Sequence, residues 1–303
     1  MKQYSKMLKR LFPLFSLSLL LLVMACHAEK KDSAEEGHAA PSAFRVASYN
    51  IRYDAPADYE TGNGWDIRKE PLAALILKHQ FDIFGTQEGD KNQMNQLKEL
   101  LPGYAYVAYP YAGKNSDLHT CATVYKTDLF EVLDSGVFWL SQTPDVPSIG
   151  WDATDRRICQ WTKMKDKKND RVFYFFNAHF YWRLKEAKKE SGPLMVQKIK
   201  SIAGDYPVLC TGDFNSEPKT SQIQQIKGLL LDAYDVSRTE RQGVDETNIS
   251  GGVFQGKPKN RIDHIFLSKH FVVEDYQVLS DTYNGGHYPS DHLPVTSLVS
   301  WGK

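Results

Sequence analysis

Two short stretches of this sequence combine residue types that are typical of phosphate chemistry. The first is Gly-Asp-Phe-Asn at residues 212–215, which follows an apolar run, and the second is Ser-Asp-His at residues 290–292. Side chains two residues apart in an extended segment point the same way, so Asp213 and Asn215 can face one target. A carboxylate such as Asp213 can deprotonate water, and an imidazole such as His292 can neutralise charge on phosphate oxygens. Both stretches are compatible with hydrolysis of a phosphate ester, but an ordinary Asx turn at the end of a strand explains residues 212–215 equally well, so the rest of the chain must decide.

Further polar residues stand at or near the ends of predicted strands, namely Asn50, Glu88, His179 and Asp263. Each one alone has an ordinary explanation as a turn former, a helix leader, a satisfied histidine or an ion-pair partner. Together, six strand ends or adjacent loops that deliver carboxylate, carboxamide and imidazole groups are what a hydrolase of phosphate esters needs. Hard oxygen ligands such as Glu88 and Asn50 suit Mg²⁺, for which Mn²⁺ can substitute. The sequence thus predicts a metal-assisted attack of water on phosphorus.

Apolar runs and their periodicity predict the elements that position these residues. Strands are expected at residues 44–53, 81–88, 104–109, 121–125, 130–140, 159–164, 171–178, 208–210, 261–267 and 293–301. Helices are expected at residues 68–79, 90–101, 184–204 and 220–230, and Gly192-Pro193 should break or kink the third of them. This mixture fits two sheets packed face to face with helices outside.

Composition sets limits on the function. The 303 residues are 42% hydrophobic, which allows a large core in one large domain or two small ones. Lys plus Arg and Asp plus Glu number 37 each, so the whole molecule has no basic field that would attract long nucleic acid. Recognition of phosphate must therefore be local.

The amino terminus has the pattern of an export signal. Basic residues precede an apolar run at residues 11–24, which is too short for a stable membrane span. The run ends in Val-Met-Ala-Cys, which resembles the lipobox of bacterial lipoproteins and makes Cys26 the lipidated residue; ordinary cleavage at a small residue is the alternative. We expect a signal peptide at 1–26, a flexible tether at 27–43 and one domain at 44–302. This predicts a monomer outside the cytoplasm, periplasmic or on the cell surface, that contacts the membrane through its lipid only.

The other cysteines are Cys121, Cys159 and Cys210, with no Cys-x-x-Cys spacing. They indicate neither a disulfide framework nor a zinc site. Cys210 is expected in the core, and a disulfide between Cys121 and Cys159 stays open.

Six motifs occur in an order that resembles the endonuclease/exonuclease/phosphatase family, which includes deoxyribonuclease I, exonuclease III-type abasic-site endonucleases, inositol polyphosphate 5-phosphatases and bacterial sphingomyelinases. The motifs are residues 48–52 (Ser-Tyr-Asn-Ile-Arg), 86–88 (Thr-Gln-Glu), 177–179 (Asn-Ala-His), 212–215 (Gly-Asp-Phe-Asn), 261–266 (Arg-Ile-Asp-His-Ile-Phe) and 290–295 (Ser-Asp-His-Leu-Pro-Val). The resemblance covers about residues 44–301. It implies an α+β fold, a four-layer α/β/β/α sandwich of two mixed β-sheets like that of deoxyribonuclease I, with the site at one edge between the sheets.

The resemblance also implies roles for the metal and water groups. Glu88 corresponds to the main metal ligand, with Asn50 beside it. Asp213 would orient and activate the water, and Asn215 would hold the phosphate or that water. Asp291 would complete the metal and imidazole surroundings.

A further set of residues would contact the phosphate. His292, positioned by Asp263, and His179 correspond to the phosphate-facing histidines of the family. Arg157 matches a less uniform position where the family often places a phosphate-contacting cation. Either Asp213 or a histidine is the general base.

Two departures from the closest relatives in pattern concern the substrate. After His179 many relatives have Asp-His, whereas this chain has Phe-Tyr-Trp at residues 180–182; around residues 117–123 they often have Gly-Glu, whereas this chain has Leu-His-Thr at 118–120. We expect the chemistry to be retained and the substrate to differ. Tyr181, Trp182, Trp65 and Trp151 are candidates for stacking on a flat group, and packing in the core or at the rim is the alternative.

These observations favour a Mg²⁺-dependent phosphoesterase that hydrolyses a phosphomonoester or a phosphodiester. A small phosphorylated molecule is favoured over a polynucleotide because the net charge is zero. The alternatives are a nuclease acting on DNA or RNA outside the cytoplasm, or a catalytically silent surface lipoprotein that keeps the fold for binding. The clustered carboxylates argue against the silent protein, because clustering like charges is costly without a function.

Overall fold

A computed structural model describes residues 43–183 and 185–302. The predicted signal peptide with Cys26, and the predicted tether up to residue 42, lie outside the described residues. Among the helices in the described ranges, none has the length and apolar character needed to cross a bilayer.

The described ranges contain fourteen strands and six helices. The strands are β1 (Phe44–Asn50), β2 (Ile83–Gln87), β3 (Tyr104–Pro110), β4 (Thr120–Lys126), β5 (Phe130–Trp139), β6 (Ile158–Asp166), β7 (Val172–His179), β8 (Val208–Asp213), β9 (Leu231–Asp232), β10 (Gln242–Gly243), β11 (Asp263–Leu267), β12 (Phe271–Val273), β13 (Gln277–Val278) and β14 (Val295–Trp301). The helices are α1 (Pro56–Glu60), α2 (Trp65–Lys78), α3 (Lys91–Leu100), α4 (Glu186–Ala203), α5 (Ser221–Lys227) and α6 (Ala233–Val236).

These strands form two mixed sheets. The first has the order β10-β13-β14-β1-β2-β4-β3, with β12 also paired to β14, and the second has the order β5-β6-β7-β8-β11-β9. Each sheet contains a central parallel pair, β1 with β2 and β7 with β8, and the chain passes through α2 and α4 between the members of these pairs. Parallel neighbours need such crossovers, and they bring two carboxyl ends to one edge of each sheet.

Three apolar clusters define the layers. One lies between the sheets and joins residues such as Val46 of β1 to Phe175 of β7. A second packs the outer face of the first sheet against α2 and α3, and a third packs the outer face of the second sheet against α4 and α5. Neighbouring residues of a strand face opposite layers, as Phe175 and Phe176 do. The predicted α+β four-layer sandwich is confirmed.

Of the break or kink predicted at Gly192-Pro193, the break is wrong. Helix α4 is continuous from Glu186 to Ala203 and contains both residues. Gly192 is buried where α4 crosses α5, and a Cβ atom there would lie 2.6 Å from Gln222 Cα. The glycine therefore permits close packing of two helices, and tertiary contacts outweigh the local effect of proline.

All three cysteines of the described ranges are buried and free. The disulfide between Cys121 and Cys159 that the sequence left open is not formed. Cys210 lies in the cluster between the second sheet and its helices, as expected for a small core residue.

The fully buried guanidinium group of Arg68 connects several loops at the edge of the sheets. It donates hydrogen bonds to the carbonyl oxygens of Asn63 (2.8 Å), Ile51 (3.0 Å) and Pro289 (2.9 Å), and more weakly to those of Arg52 and Tyr53. The segment after β1 and the segment before residues 290–292 are therefore held by one side chain.

Replacing Arg68 by Met should lower the free energy of unfolding by about 3 to 5 kcal/mol, because several buried carbonyl groups lose their donor. Urea unfolding of the purified protein measures this difference. Arg68→Lys keeps the positive charge but not the planar guanidinium group, so its free energy of unfolding should fall by less than that of Arg68→Met. The exposed Arg241→Gln is the control and should change stability by under about 0.5 kcal/mol. A loss below about 1 kcal/mol for Arg68→Met would contradict this role.

Candidate active site

The polar residues predicted at strand ends meet at one edge of the two sheets. Asn50 ends β1, and Glu88 follows the last residue of β2. His179 ends β7 and lies opposite Asp213 at the end of β8, and Asp263 at the start of β11 also lies opposite Asp213. The Nδ2 of Asn50 donates a hydrogen bond of 3.1 Å to Asp213 Oδ2, which joins the two sheets.

Asp213 is buried at the centre of this group. Its Oδ2 lies 3.4 Å from His179 Nε2 and 3.7 Å from His292 Nε2, and its Oδ1 accepts a hydrogen bond of 2.9 Å from Asn215 N. Burial raises the pKa of Asp213 to about 7; the charge of His292 opposes this shift and that of Asp263 adds to it. A carboxyl group with a pKa near neutrality can accept a proton and release it again.

His292 is paired with Asp263. Its Nδ1 lies 2.9 Å from Asp263 Oδ2, and the hydroxyl of Thr247 donates to the same oxygen at 2.6 Å. Burial alone would lower the pKa of His292, but the carboxylates of Asp263 and Asp213 outweigh it and raise this pKa well above its ordinary value. The imidazole is therefore held as a cation beside Asp213.

A chain of hydrogen bonds links Glu88 to His179 through Tyr111. The backbone N–H of Glu88 donates to the Tyr111 hydroxyl (3.2 Å), which contacts His179 Nδ1 at 2.7 Å. The Nε2 atom on the other side of the ring lies 3.4 Å from Asp213 Oδ2. Burial and the Arg157 guanidinium, 2.9 Å from Nε2, lower the pKa of His179 well below its ordinary value. His179 is thus neutral.

The carboxylate of Glu88 is held ionised. Its Oε1 accepts a hydrogen bond from Asn50 Nδ2 (3.1 Å) and its Oε2 accepts one from Tyr53 N (3.3 Å). Burial opposes ionisation, but the Asn50 bond and the positive charges of His292, Arg52 and Arg157 outweigh it and lower the pKa of Glu88. Its φ of 69° lies in the left-handed region, which is rare for a residue with a side chain and is often found at functional sites.

The predicted metal ligands Glu88, Asn50 and Asp291 offer the hard oxygen atoms that suit Mg²⁺ or Mn²⁺. Glu88 and Asn50 are in contact. The Oδ1 of Asn50 accepts a hydrogen bond from Arg52 N, so its amide nitrogen faces the carboxylates. Asp291 accepts a hydrogen bond from Gly252 N (2.7 Å) and lies 3.7 Å from Arg52 Nη1, while Ser290 donates to the carbonyl of Asn50. The carboxylates of Glu88 and Asp291 fit a hard divalent cation, whereas Asn50 turns its amide nitrogen toward Glu88, so its role as a ligand stays a prediction.

A second acidic cluster is formed by Asp213, Asp263 and His292, whose ligand atoms lie within 4.8 Å of one another. We assign it to proton handling rather than to a metal. Its imidazole is bound to Asp263, and an imidazolium has no lone pair for an ion. A protonated His292 therefore disfavours a cation in this cluster.

Asn215 does not point freely toward a ligand. Its Nδ2 donates to the backbone carbonyl of Phe180 (3.1 Å). The backbone carbonyl of Asn215 accepts a hydrogen bond from Lys188 Nζ (2.8 Å). The buried Lys188 also donates to the carbonyl of Trp182 at 3.2 Å. The loops after β7 and β8 are thereby tied together, and Asn215 orients Asp213 through its backbone N–H.

The prediction that Tyr181 stacks on a substrate is wrong. Only 1% of Tyr181 is exposed, and its hydroxyl contacts the backbone N and the Oγ1 of Thr154. Trp65 is likewise buried and bonds Gln96, so packing and loop support are the roles of both rings. Trp182 is 52% exposed, and Trp151 is half-buried. Trp182 remains available at the surface three residues after His179.

The sequence missed several residues that complete the site. Asn248 lies in a segment predicted only as irregular, and its Nδ2 is 3.1 Å from His292 Nε2. Tyr111 directly follows β3 and carries no motif that would single it out. A cavity of about 210 Å³ opens beside Glu88. Its lining residues are Tyr53, Glu88, Tyr111, His119, Asp155, Arg156 and Arg157.

His264, next to Asp263, anchors the loop that follows Asp213. It is fully buried, and its Nε2 lies 2.9 Å from the carbonyl oxygen of Ser216. Burial, and secondly the charge of Arg261, lower the pKa of His264 to about 4, although Asp232 opposes this shift. Between pH 6.5 and about pH 4, the folded protein thus keeps this imidazole neutral, whereas the unfolded chain would protonate it.

This pKa difference predicts a pH-dependent stability. An ordinary histidine has a pKa of about 6.5, so the contribution of His264 is fully present above pH 6.5 and is lost as the pH falls toward about 4. The total is about 3 kcal/mol. His264→Gln keeps a hydrogen-bond donor for the carbonyl of Ser216. Between pH 7 and pH 4, its free energy of unfolding, measured by urea titration, should fall less than that of the wild type. Equal pH dependence in both proteins would contradict the prediction.

Comparison with known proteins gives consistent matches. A sequence model of the Endonuclease/Exonuclease/phosphatase family matches residues 47–292. Two solved structures from Bacteroides thetaiotaomicron are each 39% identical in sequence to this chain. One is an endonuclease/exonuclease/phosphatase family protein with a TM-score of 0.81, and the match covers 87% of this chain and 100% of that protein. The other is a mannosyl-6-phosphatase with a TM-score of 0.80, and the match covers 85% of this chain and 100% of that protein. An uncharacterised protein of Acanthamoeba polyphaga mimivirus is 27% identical over 272 residues, covering 84% of this chain and 99% of the viral protein.

Proposed function

We propose, from the premise that this chain belongs to the endonuclease/exonuclease/phosphatase family and is a hydrolase of phosphate esters, that it uses Mg²⁺ to cleave a small phosphorylated molecule. The observation that carries this proposal is the cavity beside Glu88. Its volume of about 210 Å³ is smaller than the range of about 300–1,000 Å³ for drug-sized pockets. It therefore suits one phosphoryl group with a compact substituent. The likeness to a mannosyl-6-phosphatase supports a phosphorylated sugar as the substrate.

The proposed reaction is hydrolysis by direct attack of water. Glu88, with Asn50 and Asp291 nearby, would hold the ion, which supplies charge stabilisation to the phosphoryl oxygens. Asp213 takes a proton from water, the water oxygen forms a bond to phosphorus, and the ester P–O bond breaks. The leaving oxygen takes a proton from solvent, so a monoester gives an alcohol and inorganic phosphate.

The other residues bind the phosphoryl group and orient Asp213. His292, held as a cation by Asp263, lies beside Asp213 and would face the phosphoryl oxygens. His179 is neutral, its Nε2 lies 3.4 Å from Asp213 Oδ2, and Arg157 contacts its ring from the cavity side. Asp213 is our choice of base because it lies between the two imidazoles and is oriented by Asn50 and Asn215.

Removal of the metal and replacement of Asp213 test this function. Wild-type protein should hydrolyse para-nitrophenyl phosphate and hexose 6-phosphates with Mg²⁺, and chelation should abolish turnover until Mg²⁺ is restored. Asp213→Asn should lower kcat/KM by about 10²- to 10⁴-fold with no loss of folded structure by circular dichroism. Asp145→Asn, which removes an exposed carboxylate of the same kind, is the matched control and should retain activity.

The same assay distinguishes the alternatives. Turnover of DNA or RNA without turnover of small phosphate esters would overturn the small-molecule proposal and support the nuclease. Absence of metal-dependent turnover on every substrate would overturn the enzyme proposal and support the silent binding protein. Undiminished activity of Asp213→Asn would refute the role given to Asp213.

We also propose that the protein is a monomeric lipoprotein outside the cytoplasm, attached to the membrane through lipid on Cys26 alone. The basic and apolar residues before Val-Met-Ala-Cys support this location. The chain at residues 27–42 is rich in Glu, Lys, Ala and Ser, a composition that suits a tether.

Replacing Cys26 by Ala in the full chain should abolish lipidation. Expressed in a bacterial host, the wild type should incorporate labelled palmitate and fractionate with membranes after cell disruption, and Cys26→Ala should do neither. Cys121→Ala, which removes a buried thiol elsewhere in the chain, is the control for cysteine loss. Equal labelling of the wild type and Cys26→Ala would contradict the proposal.

A further inference from the structure

Two consecutive arginines line the cavity beside Glu88. Arg157 contacts the ring of His179, with Nη1 2.9 Å from Nε2. Arg156 makes no ion pair and no hydrogen bond with any other residue in the described ranges, and its Nε is buried. The Nε of Arg157 is also buried without a partner. The cavity wall therefore contains guanidinium donors that the folded chain does not satisfy.

Such an arrangement is unfavourable without a ligand. A buried donor with no acceptor is destabilising, and two cations that line one small cavity disfavour each other. A guanidinium group pairs best with a planar or tetrahedral anion that offers two oxygens, which a phosphoryl group does. Neutralisation by an anionic ligand would remove both penalties.

The acidic groups of the cavity do not neutralise Arg156. Glu88 is occupied by Asn50 and by the backbone N–H of Tyr53. Asp155 is exposed, and its Oδ2 accepts a hydrogen bond from Thr154. The remaining lining residues are the rings of Tyr53, Tyr111 and His119. Arg156 is thus available to a ligand.

We propose that Arg156 determines specificity by binding the second negative charge of a phosphomonoester, so that the site selects monoesters over diesters. This inference rests on the proposed function. A phosphomonoester carries about 1.5 to 2 negative charges near pH 7, whereas a diester carries a single charge and offers one fewer unesterified oxygen. Arg157, with the ion that Glu88 would hold, would meet the charge common to both esters, and Arg156 would meet the charge that only the monoester has.

The experiment compares Arg156→Gln with wild type on para-nitrophenyl phosphate and bis-para-nitrophenyl phosphate, which share a leaving group. The wild type should prefer the monoester. Arg156→Gln should lower kcat/KM for the monoester about 10- to 100-fold and for the diester less than about 3-fold. Arg156→Lys keeps the positive charge without the planar guanidinium group, so its kcat/KM for the monoester should lie between those of the wild type and Arg156→Gln. Arg241→Gln removes an exposed arginine outside the cavity and should leave both values unchanged.

Binding of inorganic phosphate, measured by calorimetry with Mg²⁺ present, gives a second readout that does not need turnover. Arg156→Gln should bind phosphate at least about 10-fold more weakly than wild type. Equal losses on both esters, unchanged monoester activity or a wild-type preference for the diester would overturn the role of Arg156 while leaving the phosphoesterase proposal intact. A wild type that hydrolyses neither ester with Mg²⁺ would overturn the proposed function, and this inference with it.

Discussion

The hydrogen bond from Asn50 to Asp213 is the contact on which the geometry of the site depends, because it joins a strand end of one sheet to a strand end of the other. The two sheets reach this contact through a polar region of their interface. There the Asn177 side chain donates to the carbonyls of Thr86 and Ala122, and Gln87 donates to Asn177. Gly85 leaves the space for this network, since a Cβ atom would collide with Asn177. The relative position of the sheets is therefore set by directional bonds beside the site and by apolar packing farther away.

The sequence could predict the parts of the site that come from regular elements. A buried strand that ends in a carboxylate or imidazole is visible as an apolar run followed by a polar residue, and this pattern predicts Asp213, Glu88 and His179. The rule that parallel strands share an edge then brings them together. The fold class follows from the same alternation of strands and helices.

The sequence could not predict contacts that are made by long-range packing of irregular segments. Asn248 reaches His292 from a loop 44 positions away, and nothing in its local sequence marks that approach. Tyr181 is a candidate for stacking on a substrate by its residue type, yet its ring is buried and its hydroxyl contacts Thr154. Gly192-Pro193 predicts a break or kink in α4, yet the helix is continuous and Gly192 lies close to Gln222 of α5. In each case tertiary context outweighed a local preference.

The Lys188 ammonium group has a consequence for how substrate binding and catalysis are connected. It holds the carbonyl oxygens of Trp182 and Asn215 at once, and it is only 5% exposed. A molecule that presses on the exposed indole of Trp182 acts on the same ammonium group that fixes the loop after Asp213. The segment after β7 and the residue that orients the central carboxylate therefore share one hydrogen-bond donor. A displacement of the Trp182 backbone would strain the bond from Lys188 to Asn215 without any direct contact with the reacting atoms.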